Sequence, residues 1–248
     1  MKERHAQLIE YVSLHEKVEV NELARHLDTS QVTIRKDLDY LSQRGILRRE
    51  RGYALLNDPN DINYRMAFHY EIKKKIAAWA VNLVEDGESV MIEAGSTCAL
   101  FAEELVKAKK DITIITNSLH IANYVKDLND VNIVLLGGTY QKKWQALVGP
   151  MTKACIKGFA VDKIFVGTDG YTRQLGFMGN DLIRLETLKA MIESAKNTIV
   201  LAESEKFQRN AMVSYLSLKD VAYIITDEGI QKDELEYMKS QGVTITTV

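Results

Sequence analysis

The sequence predicts an α/β protein with a small, mainly helical N-terminal domain and a larger C-terminal α/β domain that contains a mostly parallel sheet. Three observations support this fold class. Apolar residues recur at helical spacing in the first part of the chain, and short β-branched runs alternate with helical patterns from Ile72 onwards. Between these patterns lies a polar segment at residues 57–61, which contains one of the two prolines and is typical of a linker. We therefore expect domains at residues 1–56 and 70–248, joined by a linker at residues 57–69.

The composition excludes several classes of protein. At 248 residues the chain is longer than most single domains, and 46% hydrophobic with 27% charged residues is an ordinary globular mixture. No apolar run approaches the roughly 18 residues of a membrane helix. We expect no signal peptide, a cytoplasmic location and no membrane partner. Cys98 and Cys155 lie far apart without metal-ligand spacing, so we expect no disulfide, no structural metal and no cofactor.

Three helices are predicted in the first domain. Residues 3–15 form the first helix and residues 20–27 form a short second one, each with its apolar residues on one side. The turn at residues 28–29 has the length that a helix-turn-helix requires. The third helix begins after Ser30, a good N-cap, and Gly45 supplies the left-handed residue that often follows a helix.

The third helix has an apolar back and a polar front. Ile34, Leu38 and Leu41 form one apolar stripe. The other faces carry Gln31, Thr33, Arg35, Lys36 and Tyr40. A short hairpin is then predicted at residues 46–55, and its tip is rich in arginine, namely Arg48, Arg49 and Arg51. Three helices followed by a basic hairpin predict a winged helix-turn-helix, although a solvated charged surface has a similar composition.

Residues 18–49 resemble the N-terminal domain of the DeoR family of bacterial transcriptional regulators. The resemblance rests on a long ordered signature: Val20-x-x-Leu23-Ala24-x-x-Leu27, Ser30-x-x-Thr33-Ile34-Arg35-Lys36-Asp37-Leu38-x-x-Leu41 and Gly45-x-Leu47-x-Arg49. The wing departs from the family pattern, because Arg51-Gly52-Tyr53 contains one glycine where the family usually has two.

Groove chemistry assigns roles to the polar residues of this domain. Gln31 and Arg35 are the expected base readers, because glutamine suits adenine and arginine suits guanine. The expected phosphate contacts are Ser30, Thr33 and Lys36, and the expected backbone or minor-groove contacts are Arg48, Arg49 and Arg51. The alternative for Arg35 is a surface ion pair with Asp39, four residues further along the helix.

The second domain shows strands that alternate with helices. The predicted strands are residues 89–94, 112–116, 131–136, 163–166, 198–201, 223–226 and 243–246. This alternation predicts a largely parallel sheet that is covered on both faces. In such a sheet, ligands bind beyond the carboxyl ends of the strands.

Glycine and hydroxyl residues follow four of these strands. The loops contain Ala94-Gly95-Ser96-Thr97, Thr116-Asn117-Ser118, Gly137-Gly138-Thr139 and Gly167-Thr168-Asp169-Gly170. Glycines let backbone N–H groups approach an anion, and the helix after Ser96 adds a favourable dipole, so phosphate is the expected guest. Asp169 and Glu203 are candidates to accept hydrogen bonds from sugar hydroxyls, and Lys206 is a candidate to reach a phosphate or carbonyl oxygen. The same residue types are ordinary in turns, which is the alternative for each single loop.

Residues 72–227 resemble the sensor domain of the DeoR family, which shares its fold with ribose-5-phosphate isomerase. The resemblance rests on Asp86-Gly87, Gly95-Ser96-Thr97, Thr116-Asn117-Ser118, Leu136-Gly137-Gly138, Gly149, Gly167-x-x-Gly170, Glu203-Ser204-x-Lys206-Phe207 and Ile225-Thr226-Asp227. It implies a phosphorylated sugar as effector. Two departures bear on the pocket: Glu203 replaces the usual aspartate, and Phe177-Met178 follows Gly176 where the family often has Gly-x-Thr. Tyr140, Lys142, Lys143 and Trp144 form a cationic and aromatic stretch that either folds over a ligand or is a solvated loop.

Together these features predict a DNA-binding transcriptional regulator rather than an enzyme. We expect a repressor of a carbohydrate-metabolism operon whose partners are operator DNA and a phosphorylated sugar effector. Twofold operators imply a homo-oligomer, at least a dimer. The alternative is a sugar-phosphate isomerase or hydrolase with a DNA-binding appendage, in which Glu93, Asp169 or Glu203 would act as the base.

Overall fold

The computed structural model describes residues 3–57 and 62–248. The chain forms two compact units, Met1–Glu71 and Ile72–Val248. Part of the expected linker, residues 58–61, lies outside the described residues, and a helix begins within the expected linker at Ile62. Among the described helices, none combines the length and apolarity that crossing a bilayer requires.

The first unit confirms the three predicted helices and the hairpin. Its elements are α1 (Glu3–His15), β1 (Lys17–Glu19), α2 (Val20–His26), α3 (Gln31–Gln43), β2 (Arg48–Glu50), β3 (Tyr53–Leu55) and α4 (Ile62–Ala67). The hairpin β2–β3 pairs Arg49 with Ala54, and β1 joins it as a third antiparallel strand. The sequence pattern missed β1, because three residues with one buried side chain give almost no periodic signal.

Helical amphipathicity explains how this unit holds together. The predicted stripe of α3 is buried, with Ile34, Leu38 and Leu41 at most 1% exposed. Helix α3 packs against α2, and burial of each large aliphatic side chain contributes about 1.5–3 kcal/mol. The back of α3 is therefore fixed, and its front faces outward.

The second unit is built on a seven-stranded parallel sheet. Its strands are β4 (Ser89–Ile92), β5 (Thr113–Thr116), β6 (Asn132–Leu135), β9 (Val161–Val166), β12 (Ala195–Leu201), β14 (Tyr223–Thr226) and β15 (Thr244–Thr247). They lie in the order β15-β14-β12-β9-β4-β5-β6. All seven predicted strands are thus confirmed. The order runs outward in both directions from β4 and β9, so the topological switch point lies between these two strands.

Helices connect most of these strands. They are α6 (Ser96–Ala108), α7 (Leu119–Val125), α8 (Pro150–Ile156), α9 (Leu182–Glu193) and α10 (Lys232–Ser240), and α5 (Tyr70–Ala80) precedes the first strand. The sheet itself is apolar: Met91, Ile164, Val166, Val200 and Ile224 are fully buried. This core fixes where the loops beyond the strands begin.

Two small antiparallel additions were not predicted. A hairpin consists of β7 (Thr139–Gln141) and β8 (Ala146–Val148), and a three-stranded sheet consists of β10 (Gly170–Thr172), β11 (Gly176–Gly179) and β13 (Val213–Leu216). Strands of three or four residues carry little propensity signal, and β10 and β11 also contain glycine. Gly170 has a structural reason, because a side chain there would collide with the Arg209 carbonyl.

Candidate functional site

The start of α3 is capped as predicted. The Ser30 Oγ accepts a hydrogen bond from the Thr33 N–H at 3.2 Å, and the two hydroxyl oxygens lie 2.9 Å apart. At the other end Gly45 adopts a φ of 71°, which a residue with a side chain rarely adopts. Both ends of the predicted recognition helix are therefore defined by the residues that the pattern indicated.

The two expected base readers lie side by side on the exposed front of α3. Gln31, Arg35 and Lys36 are all exposed. An Nη2 of Arg35 donates to Gln31 Oε1 at 3.3 Å, so the pair presents donors and an acceptor at the N-terminal half of the helix. This is the half that approaches base edges when such a helix enters the major groove.

The wing is attached to the recognition helix by an ion pair. Arg49 Nη1 contacts Asp39 Oδ1, so in the described structure Asp39 pairs with the wing and not with Arg35 as in the alternative. Arg48 pairs with Glu50 at 3.2 Å, and Arg51 is exposed at the turn. The wing therefore presents its cations beside α3, although two of the three have carboxylate partners.

A buried carboxylate inside the motif was missed. Asp37 is 5% exposed, accepts a hydrogen bond from Arg4 Nε at 2.5 Å and lies 2.9 Å from His5 Nε2. Burial favours the neutral acid, but the hydrogen bonds from Arg4 and His5 outweigh it and hold the pKa of Asp37 below its usual value. The sequence contains a signal for this, because Asp37 lies three residues after Ile34 and four before Leu41, on the buried face of the helix. It fastens α3 to α1.

The large sheet brings the predicted ligand loops to one edge. Five strands, β12-β9-β4-β5-β6, are adjacent and parallel, so the loops after them emerge side by side. Gly95 is the N-cap residue of the 13-residue helix α6, and Ser96 at its start is partly exposed. The first N–H groups of an α-helix have no partner within the helix and face an incoming anion.

The hydroxyls of the loop after β5 are used internally. Thr116 Oγ1 donates to the Ile92 carbonyl at 2.6 Å and accepts from the Ser118 N–H at 3.0 Å. Ser118 Oγ caps α7 through the Ile121 N–H at 3.1 Å. Asn117 lies between them: its Nδ2 donates to the Leu147 carbonyl, whereas its buried Oδ1 has no hydrogen-bond partner among the described residues. Thr116 and Ser118 thus shape the loop, and Asn117 retains an acceptor.

The glycines after β6 and β9 allow close packing. A side chain at Gly138 would overlap the Thr152 hydroxyl, and Gly137 is exposed beside it. Gly170 packs against the Arg209 carbonyl as described above. Gly138 and Gly170 are therefore small for packing reasons, and the sequence pattern does not distinguish this role from close approach to a ligand.

Glu203 is a buried anion with two partners. It is 4% exposed, lies 3.2 Å from Lys73 Nζ and accepts a hydrogen bond from Thr97 Oγ1 at 3.4 Å. Burial favours its neutral form, but the ammonium groups of Lys73 and Lys206 outweigh burial and lower the pKa of Glu203. Lys206 itself is partly exposed and lies 3.2 Å from Glu205. Of the two predicted residues, Glu203 contacts Thr97, and Lys206 acts on the charge of Glu203. The sequence pattern missed Lys73.

A second buried ion pair lies at the switch point. Arg184 Nε donates to Glu93 Oε1 at 2.9 Å, Nη1 lies 3.6 Å from Asp169 Oδ2, and the guanidinium lies 4.2 Å from the centroid of Trp144. Burial disfavours the charged arginine, but Glu93 and then Asp169 outweigh it and raise the pKa of Arg184. No sequence pattern indicates this pairing, since Glu93 and Arg184 are far apart along the chain.

The aromatic and cationic stretch forms the turn of the β7–β8 hairpin. Trp144 is 5% exposed and packs with Ala94 and Ala146 at the carboxyl edge. Lys142 and Lys143 are exposed. The stretch therefore divides: Trp144 packs inward over the end of β4, whereas the two lysines are solvated.

A winged helix-turn-helix with an exposed reading face, followed by a parallel sheet with an anion-suited edge, defines a DNA-binding protein with a small-molecule sensor domain. Residues 4–60 match the DeoR-like helix-turn-helix domain, and residues 68–228 match the DeoR C terminal sensor domain. The chain belongs to the DeoR family of transcriptional regulators. The expected family and the expectation of a transcriptional regulator are thereby confirmed.

Curated relatives align over nearly the whole chain. The HTH-type transcriptional regulator GlpR of Haloferax volcanii is 31% identical over 98% of this chain and 96% of its own length. The glycerol-3-phosphate regulon repressor of Escherichia coli K12 is 29% identical over 91% of this chain and 90% of its own. The putative aga operon transcriptional repressor of Escherichia coli O157:H7 is 28% identical over 99% of this chain and 93% of its own. These relatives are named as regulators, which supports regulation over the enzymatic alternative.

Among solved structures, a ribose 5-phosphate isomerase A from Methanocaldococcus jannaschii superposes with a TM-score of 0.42 at 22% identity, covering 56% of this chain and 54% of that chain. A likeness at this level carries no argument about function.

Proposed function

We propose that this protein is a repressor of a carbohydrate-metabolism operon and that a phosphorylated sugar controls its affinity for operator DNA. It acts in the cytoplasm as a homo-oligomer, at least a dimer, and does not turn its effector over. Two relatives are named as repressors, one of a glycerol-3-phosphate regulon and one of an aga operon. The observation that carries the proposal is the carboxyl edge of the sheet, where an anion-suited helix start lies beside buried carboxylates and a lysine.

The phosphate of the effector binds at the start of α6. Gly95, Ser96 and Thr97 supply backbone N–H groups at the positive end of a 13-residue helix. Lys206 adds a positive charge near Glu203, which contacts Thr97. The remaining predicted contacts shape or line the same edge: Thr116, Asn117, Ser118, Gly137, Gly138, Asp169 and Gly170.

Operator DNA is bound by the first unit. Gln31 and Arg35 read base edges, Ser30, Thr33 and Lys36 hold phosphates, and the wing cations Arg48, Arg49 and Arg51 contact the backbone or the minor groove. Each protomer reads one half-site, which is why a twofold operator requires at least a dimer. Effector binding changes operator affinity through a coupling free energy of about 1–3 kcal/mol, which is typical of allosteric proteins.

A thermal-unfolding screen tests the effector class. Inorganic phosphate, glycerol 3-phosphate, ribose 5-phosphate, fructose 6-phosphate and glucose 6-phosphate are added to the full chain. A compound that binds the folded state at 100 times its Kd stabilises it by about 2.7 kcal/mol. Lys206→Ala should reduce the ligand-induced rise in unfolding temperature. Lys219→Ala changes an exposed lysine of the same unit and should leave that rise unchanged. The absence of a shift with every phosphorylated compound contradicts the proposed effector class.

A further inference from the structure

Arg184 is a buried arginine in the first turn of α9, and one of its guanidinium nitrogens has no hydrogen-bond partner among the described residues. The residue is 3% exposed. Within residues 3–57 and 62–248, its Nη1 makes no hydrogen bond, and Asp169 Oδ2 at 3.6 Å lies beyond hydrogen-bond distance. A buried donor without an acceptor is destabilising. An unpaired buried donor of this kind indicates that a bound ligand supplies the hydrogen-bond acceptor.

The position of this donor matches the place where open parallel sheets bind ligands. Glu93, which holds Arg184 Nε, follows β4 directly, and Asp169 follows β9. These two strands flank the switch point of the sheet. Asp169 has a side chain that is 21% exposed, so the cluster opens to the outside on the side of this carboxylate.

The charges of the cluster decide which part of a ligand it suits. One arginine faces the carboxylates of Glu93 and Asp169, so the cluster carries excess negative charge. A second anion would be repelled, whereas a neutral hydroxyl accepts from a guanidinium and donates to a carboxylate. The phosphate belongs at the start of α6, and the cluster suits the polyhydroxylated end of the same molecule.

Packing and hydrogen bonds hold the Arg184 guanidinium in a fixed position. Trp144 covers it at 4.2 Å, and the Trp144 Nε1 donates to Asp181 Oδ2 at 3.2 Å. Asp181 is the N-cap of α9, where its Oδ1 accepts from the Arg184 N–H at 2.9 Å. Arg184 is therefore fixed by its backbone, its stacking partner and Glu93, which leaves Nη1 in one orientation.

We propose that Arg184 and Asp169 form a specificity subsite for the hydroxyl-bearing carbon chain of the effector, with Nη1 donating to a ligand oxygen and Asp169 accepting from a ligand O–H. The inference rests on the proposed function and deepens it, because it separates recognition of the sugar from binding of the phosphate. Loss of a hydrogen bond to a charged group weakens binding by roughly 10- to 100-fold.

The test compares sugar phosphates with inorganic phosphate by calorimetry on the full chain. Arg184→Lys keeps a cation beside Glu93 but removes Nη1. The sugar phosphate for this comparison is the one of ribose 5-phosphate, fructose 6-phosphate and glucose 6-phosphate that the wild type binds most tightly. The variant should raise the Kd for this sugar phosphate by ~10-fold or more, whereas the Kd for inorganic phosphate should change by less than about twofold. Arg173→Lys is the matched control, because Arg173 is a half-exposed arginine of the same unit that pairs with Asp233 and Glu234.

A second measurement does not depend on the stability of the variant. In a Trp79→Phe background, Trp144 is the remaining tryptophan and reports on the Arg184 cluster. Its emission should change on addition of the sugar phosphate but not of inorganic phosphate. The inference is overturned if Trp144 responds equally to both, if Arg184→Lys weakens both equally, or if the wild type binds sugar phosphates no more tightly than inorganic phosphate. Failure of every phosphorylated compound to bind counts against the proposed function itself.

Discussion

The buried pair of Lys73 and Glu203 gives the sharpest stability prediction for the second unit. Both side chains are 5% exposed and their charged atoms lie 3.2 Å apart. Lys73→Met removes the cation and leaves Glu203 charged in a site without its main counterion. Breaking a buried pair from one side typically destabilises a protein by about 3–5 kcal/mol. We expect a loss of that size in the free energy of unfolding.

Urea denaturation followed by tryptophan fluorescence measures this loss. Trp79 and Trp144 both lie in the second unit, so the signal reports that unit. Lys75→Met is the matched control, because Lys75 is exposed on the same helix, and it should stay within about 0.5 kcal/mol of the wild type. The double variant Lys73→Met with Glu203→Gln should recover most of the loss, since it removes both charges of the buried pair. A Lys73→Met protein within about 1 kcal/mol of the wild type would refute the reasoning.

The pair also predicts a pH dependence. The pKa of Glu203 is lowered in the folded protein, mainly because Lys73 outweighs the effect of burial. A lowered folded-state pKa means that the stabilisation is present above the unfolded-state value of about 4.3 and is lost as the pH falls through the folded-state value. The double variant should therefore lose less stability on acidification than the wild type, and identical pH profiles would contradict this assignment.

The remaining predictions concern the first unit. Gln31→Ala with Arg35→Ala should weaken specific DNA binding by about 1–3 kcal/mol for each lost base contact, measured by fluorescence anisotropy, while non-specific binding is retained. Arg51→Ala should weaken binding equally across sequences and reduce the slope of log K against log salt by about 1; an unchanged slope would exclude a phosphate contact. Asp37→Asn should destabilise this unit by about 1–3 kcal/mol, seen by thermal circular dichroism, whereas Ser30→Ala should cost about 1 kcal/mol through loss of the N-cap. Because the pKa of Asp37 is lowered, its contribution is present above about pH 3.9 and declines as the pH falls further.

The sequence was most informative where function follows from local pattern. The third helix was predictable because Ser30, the apolar stripe and Gly45 are all within one segment, and each acts on its own neighbours. The positions of the ligand loops were predictable for a similar reason, since parallel strands carry the loops after them to one edge. The order of the strands, which places β9 beside β4, required the structure.

Pairings between distant residues were beyond the sequence. Asp37 meets Arg4 and His5, and Glu93 meets Arg184, across segments that no periodicity connects. The sequence also does not show whether a hydroxyl in a loop forms hydrogen bonds within the protein or with a ligand. Thr116 and Ser118 proved to hold their own loop together, whereas Asn117 beside them keeps an acceptor.

Control of the DNA-binding unit by the sensor unit is the central claim, and one titration tests it most directly. DNA that this chain selects from a random pool is labelled. Its affinity for the protein is measured by fluorescence anisotropy with and without the sugar phosphate that gives the largest rise in unfolding temperature. The account predicts a change in Kd of about 5- to 150-fold, which corresponds to a coupling free energy of about 1–3 kcal/mol. An operator affinity that is the same at zero and saturating sugar phosphate would contradict it.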